Sequence, residues 1–346
     1  MKRRSVLAVV FTFILLATLM LAGCETSADD ESVLIVEDEA VSKKEYEYQL
    51  VSLMRAYEYY SGEPIDWNKS IEGMPADEFF REQAANSVIL YRAVKLNGNR
   101  LGLSLTPDEI AQIERIVDEQ IELAGGRREF EKQLKASGID RELYTYILRG
   151  PELYYKIYQH LYGENGPMCP NESDVLNYYQ QSYLNTRHIL LFMIDEEGNP
   201  LSTTEKDDRR DLMDDIYQLL KDGEDFGVLM ERYNEDTAIN GTSVSFSRGV
   251  MPEDYYQAAV SISPGEFSEV LIVSDSLCII NRLPLDENFL EENFESIREE
   301  CATDAFNKLL EDWKSELTVK RTALYSKIDV QTLYAERVAQ QRISDY

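Results

Sequence analysis

Thr186-Arg187-His188-Ile189-Leu190-Leu191-Phe192-Met193-Ile194 is the stretch on which the fold of this chain turns. Residues 189–194 are all apolar. A run this short, closed by Asp195, fits a strand buried in a sheet better than a core helix. Residues 202–221 then repeat at helical spacing, with Leu212, Ile216, Leu219 and Leu220 inward and Gly223 closing the helix. Asp225-Phe226 opens a second helix that runs to Tyr233. A short strand over 244–246 and a helix over 252–260, started by Pro252, come next. Pro264-Gly265-Glu266 is a turn, and strands over 267–273 and 277–283 are joined by Ser274-Asp275-Ser276. The order is strand, two helices, strand, helix, strand, strand, which is an α+β unit.

On both sides of this unit the pattern is helical. Residues 33–36 form a short apolar strand, Glu37-Asp38-Glu39 a turn, and Ala40-Val41 a resumed strand. Ser42-Lys43-Lys44-Glu45 is a capping box, in which the Ser42 oxygen accepts the Glu45 amide and the Glu45 side chain reaches back. The helix it opens carries Tyr46, Leu50, Leu53, Met54 and Tyr57 on one face and ends near Gly62. A helix over 76–96 follows, with Gly98 as its C-terminal cap. Thr106-Pro107-Asp108-Glu109 starts another. A short helix around Phe130 and Leu134 precedes a pattern over 140–162 that Pro151 should kink or split. Asn171-Glu172-Ser173-Asp174 caps one more helix. After Pro284 a long helical stripe of Phe294, Ile297, Cys301, Ala305, Leu309, Trp313 and Leu317 is too apolar to stand alone. It needs a partner, and the N-terminal helices are the one available. The middle then reads as an insertion: residues 32–184 and 286–333 make one helical domain, 185–285 the inserted unit, and 334–346 a polar tail.

The inserted unit resembles the parvulin-type (PpiC, or rotamase) peptidyl-prolyl cis-trans isomerases. That family's first strand usually reads Ala-x-His-Ile-Leu, against Thr186-Arg187-His188-Ile189-Leu190 here. Gly223-Glu224-Asp225-Phe226, Tyr233-Asn234-Glu235-Asp236, Phe246-Ser247-Arg248-Gly249-Val250-Met251, Pro264-Gly265-Glu266-Phe267-Ser268 and Ile279-Ile280 follow in the family's order. The flanks are similar to those of the PrsA and SurA foldases, and the expected architecture is a parvulin-like domain inserted in a helical chaperone domain. The resemblance implies a site. Phe246, Met251 and Tyr255 would form the proline pocket, and His188, Asp236 and Cys278 would be the polar catalytic set. His188 and Asp236 would share a hydrogen bond that fixes the imidazole tautomer. The chain departs from the family at two places. Cys278 stands where a second histidine is usual, and Asn240-Gly241-Thr242-Ser243-Val244 replaces a Gly-Gly-Asp-Leu-Gly turn.

The N-terminus places the protein outside the cytoplasm. Lys2, Arg3 and Arg4 precede an apolar run that ends in Leu21-Ala22-Gly23-Cys24. This resembles a bacterial lipoprotein signal over 1–23, cut before a Cys24 that receives lipid and followed by a short acidic tether over 25–31. An uncleaved membrane anchor is the alternative, since the run is just long enough to span a bilayer. The net charge is -29, and removing the three leader cations leaves -32. Nucleic acid needs a basic surface and is excluded as a partner. The expected partners are unfolded secreted proteins, with the membrane held through the lipid. Excess charge keeps a protein soluble among such clients, although a generally acidic proteome gives the same balance. The resemblance allows a homodimer through the helical domain. Four cysteines and two histidines, without a CxxC or a paired His, imply no metal site, and no cofactor is expected. With Cys24 lipidated, a single bridge such as Cys169 to Cys301 is open. Two other functions fit less of the chain: a parvulin-like holdase without turnover, and a solute-binding lipoprotein, whose two α/β lobes the helical flanks speak against.

Overall fold

The computed structural model describes residues 32–237 and 243–344. The leader and Cys24 lie outside the described residues, as do Asn240, Gly241 and Thr242 of the altered turn. The chain divides into two compact units, Met1–Pro167 with Phe306–Tyr346, and Met168–Ala305.

The first unit begins with β1 (Ser32–Val36) and β2 (Glu39–Ser42), an antiparallel hairpin that turns at Glu37 in the left-handed region, φ 52°. Helix α1 (Lys43–Ser61) is capped by Ser42, whose Oγ accepts the Glu45 N–H at 3.1 Å. Only half of the expected capping box forms. The Glu45 carboxylate turns inward and binds Arg92 Nη1 and Nη2, each at 2.9 Å. A buried guanidinium outbids an exposed backbone amide for a carboxylate, because burial without a partner costs more than a frayed cap. Tyr46, Leu50 and Met54 are fully buried, as the spacing predicts.

A small hairpin, β3 (Ser70–Ile71) and β4 (Met74–Pro75), leads into α2 (Ala76–Arg100). The helix runs past Gly98, which is therefore not its cap. A Cβ there would stand 3.0 Å from Ile157 Cδ1 and 3.3 Å from the Leu103 carbonyl, so the glycine permits a close approach. Helix α3 (Pro107–Leu123) has the full capping box of Thr106 and Glu109. Helix α4 (Arg127–Ala136) is short, and α5 (Arg141–Tyr162) continues through Pro151 as one helix rather than two.

The second unit starts with α6 (Glu172–Ser182), capped by Asn171 and Asp174, which passes directly into β5 (Tyr183–Phe192). Helices α7 (Thr203–Lys221) and α8 (Phe226–Tyr233), strand β6 (Val244–Ser247), helix α9 (Glu253–Ser261) and strands β7 (Leu271–Val273) and β8 (Ser276–Leu283) follow. The first of the two closing strands is shorter than the sequence pattern suggests, and Phe267 contributes only an isolated bridge to Asn281. The sheet order is β6-β5-β8-β7, antiparallel throughout. Helix α10 (Glu287–Glu292) and the start of α11 (Phe294–Ser315) complete this unit. Val175, Tyr179, Tyr183 and Ile297 form a small core there.

The rest of α11 belongs to the first unit. Its buried residues there are Phe306 and Leu310, one position on from the expected Ala305 and Leu309. The rings of Tyr154, Tyr158, Tyr162 and Trp313 surround Phe306, and that aromatic seat sets the helix rotation. Strand β9 (Val319–Arg321) then pairs with the free edge of β1, giving the order β2-β1-β9. Helices α12 (Ala323–Lys327) and α13 (Val330–Ser344) end the described chain. The polar stretch from Tyr334 is thus helical, and the Tyr334 hydroxyl donates to Glu58 Oε2 at 2.6 Å.

Candidate active site

Strand alternation gives the second unit's sheet two distinct faces. β5 and β8 pair with Ile189 opposite Ile279 and His188 opposite Ile280. Ile189, Leu191, Leu277 and Ile279 pack against Met213 and Ile216 of α7 and Leu229 of α8. The other face carries Leu184, Cys278 and Ile280, packed with Phe246 of β6 and Tyr255 and Ala259 of α9. Thr186 and His188 lie on this second face by register.

His188 is 1% exposed. Its Nδ1 lies 3.2 Å from the Tyr255 hydroxyl, and its Nε2 lies 3.2 Å from Asp236 Oδ2. At that distance the Asp236 carboxylate, through its charge and hydrogen bonding, favours a proton on Nε2. The Tyr255 hydroxyl also meets Thr186 Oγ1 at 2.9 Å. Thr186, Tyr255, His188 and Asp236 therefore form one polar chain, buried at the Thr186 end and open at Asp236, whose side chain is 26% exposed. Burial pushes the His188 imidazole below its usual pKa, against the pull of the Asp236 carboxylate. The ring is neutral near neutral pH. Burial also raises the Tyr255 phenol, which stays protonated.

Asp236 owes its place to the two residues before it. β6 pairs with β5 only up to Thr186, so the edge beyond is free for other partners. Asn234 takes it: its Oδ1 accepts the Leu190 N–H at 2.9 Å, and its Nδ2 donates to the Asp236 carbonyl at 2.8 Å. The Glu235 N–H donates to the Leu190 carbonyl at 2.9 Å, and Glu235 Oε2 accepts the Phe192 N–H at 2.8 Å. Arg209 of α7 pairs with Glu235 from the other side. The loop after α8 is thereby stitched to the strand that carries His188.

Phe246, Tyr255 and Met251 lie in one apolar cluster with an uneven surface. The Phe246 and Tyr255 rings meet edge to face at 5.9 Å, and both residues are 1% exposed. Met251 is half-buried against them and forms the accessible part. Cys278 lies in the same cluster at 0% exposure, opposite Leu190 rather than His188. Burial pushes its thiol up, and the Asp236 and Asp254 carboxylates add to this. A thiol held protonated is neither nucleophile nor base. Cys169, Cys278 and Cys301 are all free, so the bridge left open between Cys169 and Cys301 is not formed.

Residues 188–282 match the model of the Rotamase family, the PPIC-type PPIASE domain. The foldase protein PrsA of Caldanaerobacter subterraneus subsp. tengcongensis is 22% identical over 326 residues, which cover 92% of this chain and 94% of that protein. The foldase protein PrsA of Oceanobacillus iheyensis is 34% identical over 127 residues, 36% of each chain. The chain matches the PrsA foldase family and its PPIC-type parvulin domain. Among solved structures, the peptidylprolyl isomerase PrsA of Bacillus cereus covers 69% of this chain and 81% of its own at 20% identity, with a TM-score of 0.35. The parvulin-like architecture expected from the sequence, a small antiparallel sheet with helices in a mostly helical chain, is the one observed.

Within the parvulin-like domain, the sequence pattern points to His188, Asp236 and Tyr255 but passes over Thr186 and Asn234. Both stand inside quoted motifs. Asn two residues before Asp, just after a helix, is a signal for side-chain hydrogen bonds to the backbone, and it marks the loop that aims Asp236.

Proposed function

We propose that the parvulin-like domain is a peptidyl-prolyl cis-trans isomerase, and that the whole chain is a foldase for secreted proteins, lipid-anchored through Cys24 on the outer face of a bacterial cytoplasmic membrane. One observation carries this reading. A neutral, buried His188 is held between the Tyr255 hydroxyl and the Asp236 carboxylate, next to the apolar wall of Phe246, Tyr255 and Met251. The relatives named as foldases support it, and the lipoprotein-like leader supports the location.

The chemistry asks little of the protein. Rotation of an X-Pro amide meets a barrier of about 18–20 kcal/mol from lost resonance. No bond is made or broken to a protein atom. A site that binds the twisted amide more tightly than the planar one lowers that barrier. An apolar wall at Met251 holds the proline ring, and the polar end of the chain at His188 and Asp236 meets the carbonyl as it turns. Uncatalysed isomerisation takes tens of seconds, long enough to stall a folding client.

The test is prolyl isomerisation on a panel of X-Pro peptides, with His188→Ala and Met251→Ala beside the parent. Activity that falls in both variants supports an enzyme with its site here. A second reading, a holdase without turnover, is favoured by Cys278, which fills the family's second histidine position with a fully buried, protonated thiol. Flat kinetics on every peptide, with aggregation of an unfolded client still suppressed, would select that reading.

A further inference from the structure

We propose that the Tyr255 hydroxyl positions the His188 ring, donating to Nδ1 and supporting the tautomer that carries its proton on Nε2. The inference rests on the isomerase reading of the same site and adds a role to a residue otherwise assigned to the pocket wall.

Cys278 is not paired with His188 across the sheet. It lies opposite Leu190, two residues along β5 from His188, and sits among apolar side chains. Tyr255 reaches the ring from α9 instead, and its hydroxyl meets Nδ1 at 3.2 Å. The direction of that bond follows from the other nitrogen. Nε2 faces the Asp236 carboxylate, which only accepts, so the proton of a neutral ring belongs on Nε2. Nδ1 is then an acceptor, and the Tyr255 hydroxyl must donate to it. The Tyr255 oxygen is left to accept the Thr186 hydroxyl at 2.9 Å. Every proton in the chain from Thr186 through Tyr255 and His188 to Asp236 has one consistent place. The ionisable groups of this cluster are Asp236 from the loop, Tyr255 from α9, and Cys278 of β8 with Asp254 beyond it. The Tyr255 ring also meets the imidazole edge to face at 5.7 Å, a contact that a phenylalanine would keep.

Histidine nitrogen NMR on the full chain tests this. The chain has two histidines, and the exposed His160 is assigned by its loss in His160→Gln. The parent should show His188 protonated on Nε2 with Nδ1 as acceptor. Tyr255→Phe removes a donor that favours the neutral ring. The His188 protonation midpoint should then rise by about one pH unit. In the isomerase assay the same variant should lose about tenfold in kcat with KM unchanged, since the ring that backs the Met251 wall remains. A parent protonated on Nδ1, or a titration unmoved in Tyr255→Phe, would overturn the proposal. A parent with no isomerase activity removes the isomerase reading, and the tautomer measurement still decides the role of Tyr255.

Discussion

The side-chain oxygen of Asn234 accepts the backbone N–H of Leu190 at 2.9 Å, where a sheet would otherwise need another strand. The same carboxamide donates to the carbonyl of Asp236. One side chain thus joins the edge of the His188 strand to the residue that faces the imidazole. Asn234→Ala should release Asp236 and leave a half-buried donor without its partner. We expect a loss of about tenfold in isomerisation and a stability cost of about 1–3 kcal/mol. Kinetics and urea denaturation measured together decide it. A stability loss with kcat unchanged would limit Asn234 to holding the sheet edge.

In the helical unit, Arg92 and Glu45 are each 6% exposed and paired through two bonds of 2.9 Å. Tyr146 accepts from Arg92 at 2.7 Å, and Glu39 stands 3.3 Å from its Nε. Arg92→Met leaves the Glu45 charge buried without its partner and should cost about 3–5 kcal/mol. Replacing both, as Glu45→Leu with Arg92→Met, should recover most of that, since an apolar pair has no desolvation penalty to offset. The two tryptophans, Trp67 and Trp313, both lie in this unit, so their fluorescence follows its denaturation. A double variant no more stable than the single one would contradict the account.

Local signals in the sequence are legible and long-range ones are not. Ser42, Thr106 and Asn171 cap the helices their motifs announce, because a cap needs only the next three residues. The succession of strands and helices along the chain around His188 follows from apolar runs and turns. By contrast, the rotation of α11 depends on three tyrosines of α5 that seat Phe306. Gly98 serves the approach of Ile157 rather than a helix end, and Glu45 leaves its capping box for Arg92. In the site, His188 and Asp236 can be read from their motifs. The Tyr255 hydroxyl between Thr186 and His188 cannot, because tyrosine in an apolar helix reads as wall.

Cys278 is buried and its thiol is held protonated, whereas Cys169 and Cys301 are partly exposed. An alkylating reagent applied to the native protein should therefore label Cys169 and Cys301 and leave Cys278 intact, with isomerisation unchanged. Adding denaturant should expose the third site. Peptide mass mapping reads this directly. Fast native labelling of Cys278, with activity lost in step, would mean that the thiol belongs to the working surface.

Glu109 links the start of α3 to α5. Lys156 donates to both its oxygens at 2.9 and 2.7 Å, and the Thr106 N–H donates to Oε2 at 2.6 Å. The Lys156 bond first, then the Thr106 amide, holds its carboxyl down to about 2. A carboxylate that is more acidic folded than unfolded contributes stability at pH values above its unfolded pKa. That contribution fades as pH falls from the unfolded value of about 4.3 and is gone below the folded one. Solvent reaches this pair and screens it, so the effect is modest. Glu109→Gln should lower Tm by about 2–4 °C at pH 7. The gap between parent and variant should narrow below pH 4 and close near pH 2. Thermal unfolding across that range measures it, and a gap that persists undiminished at pH 2 would show that the glutamate acts through packing rather than charge.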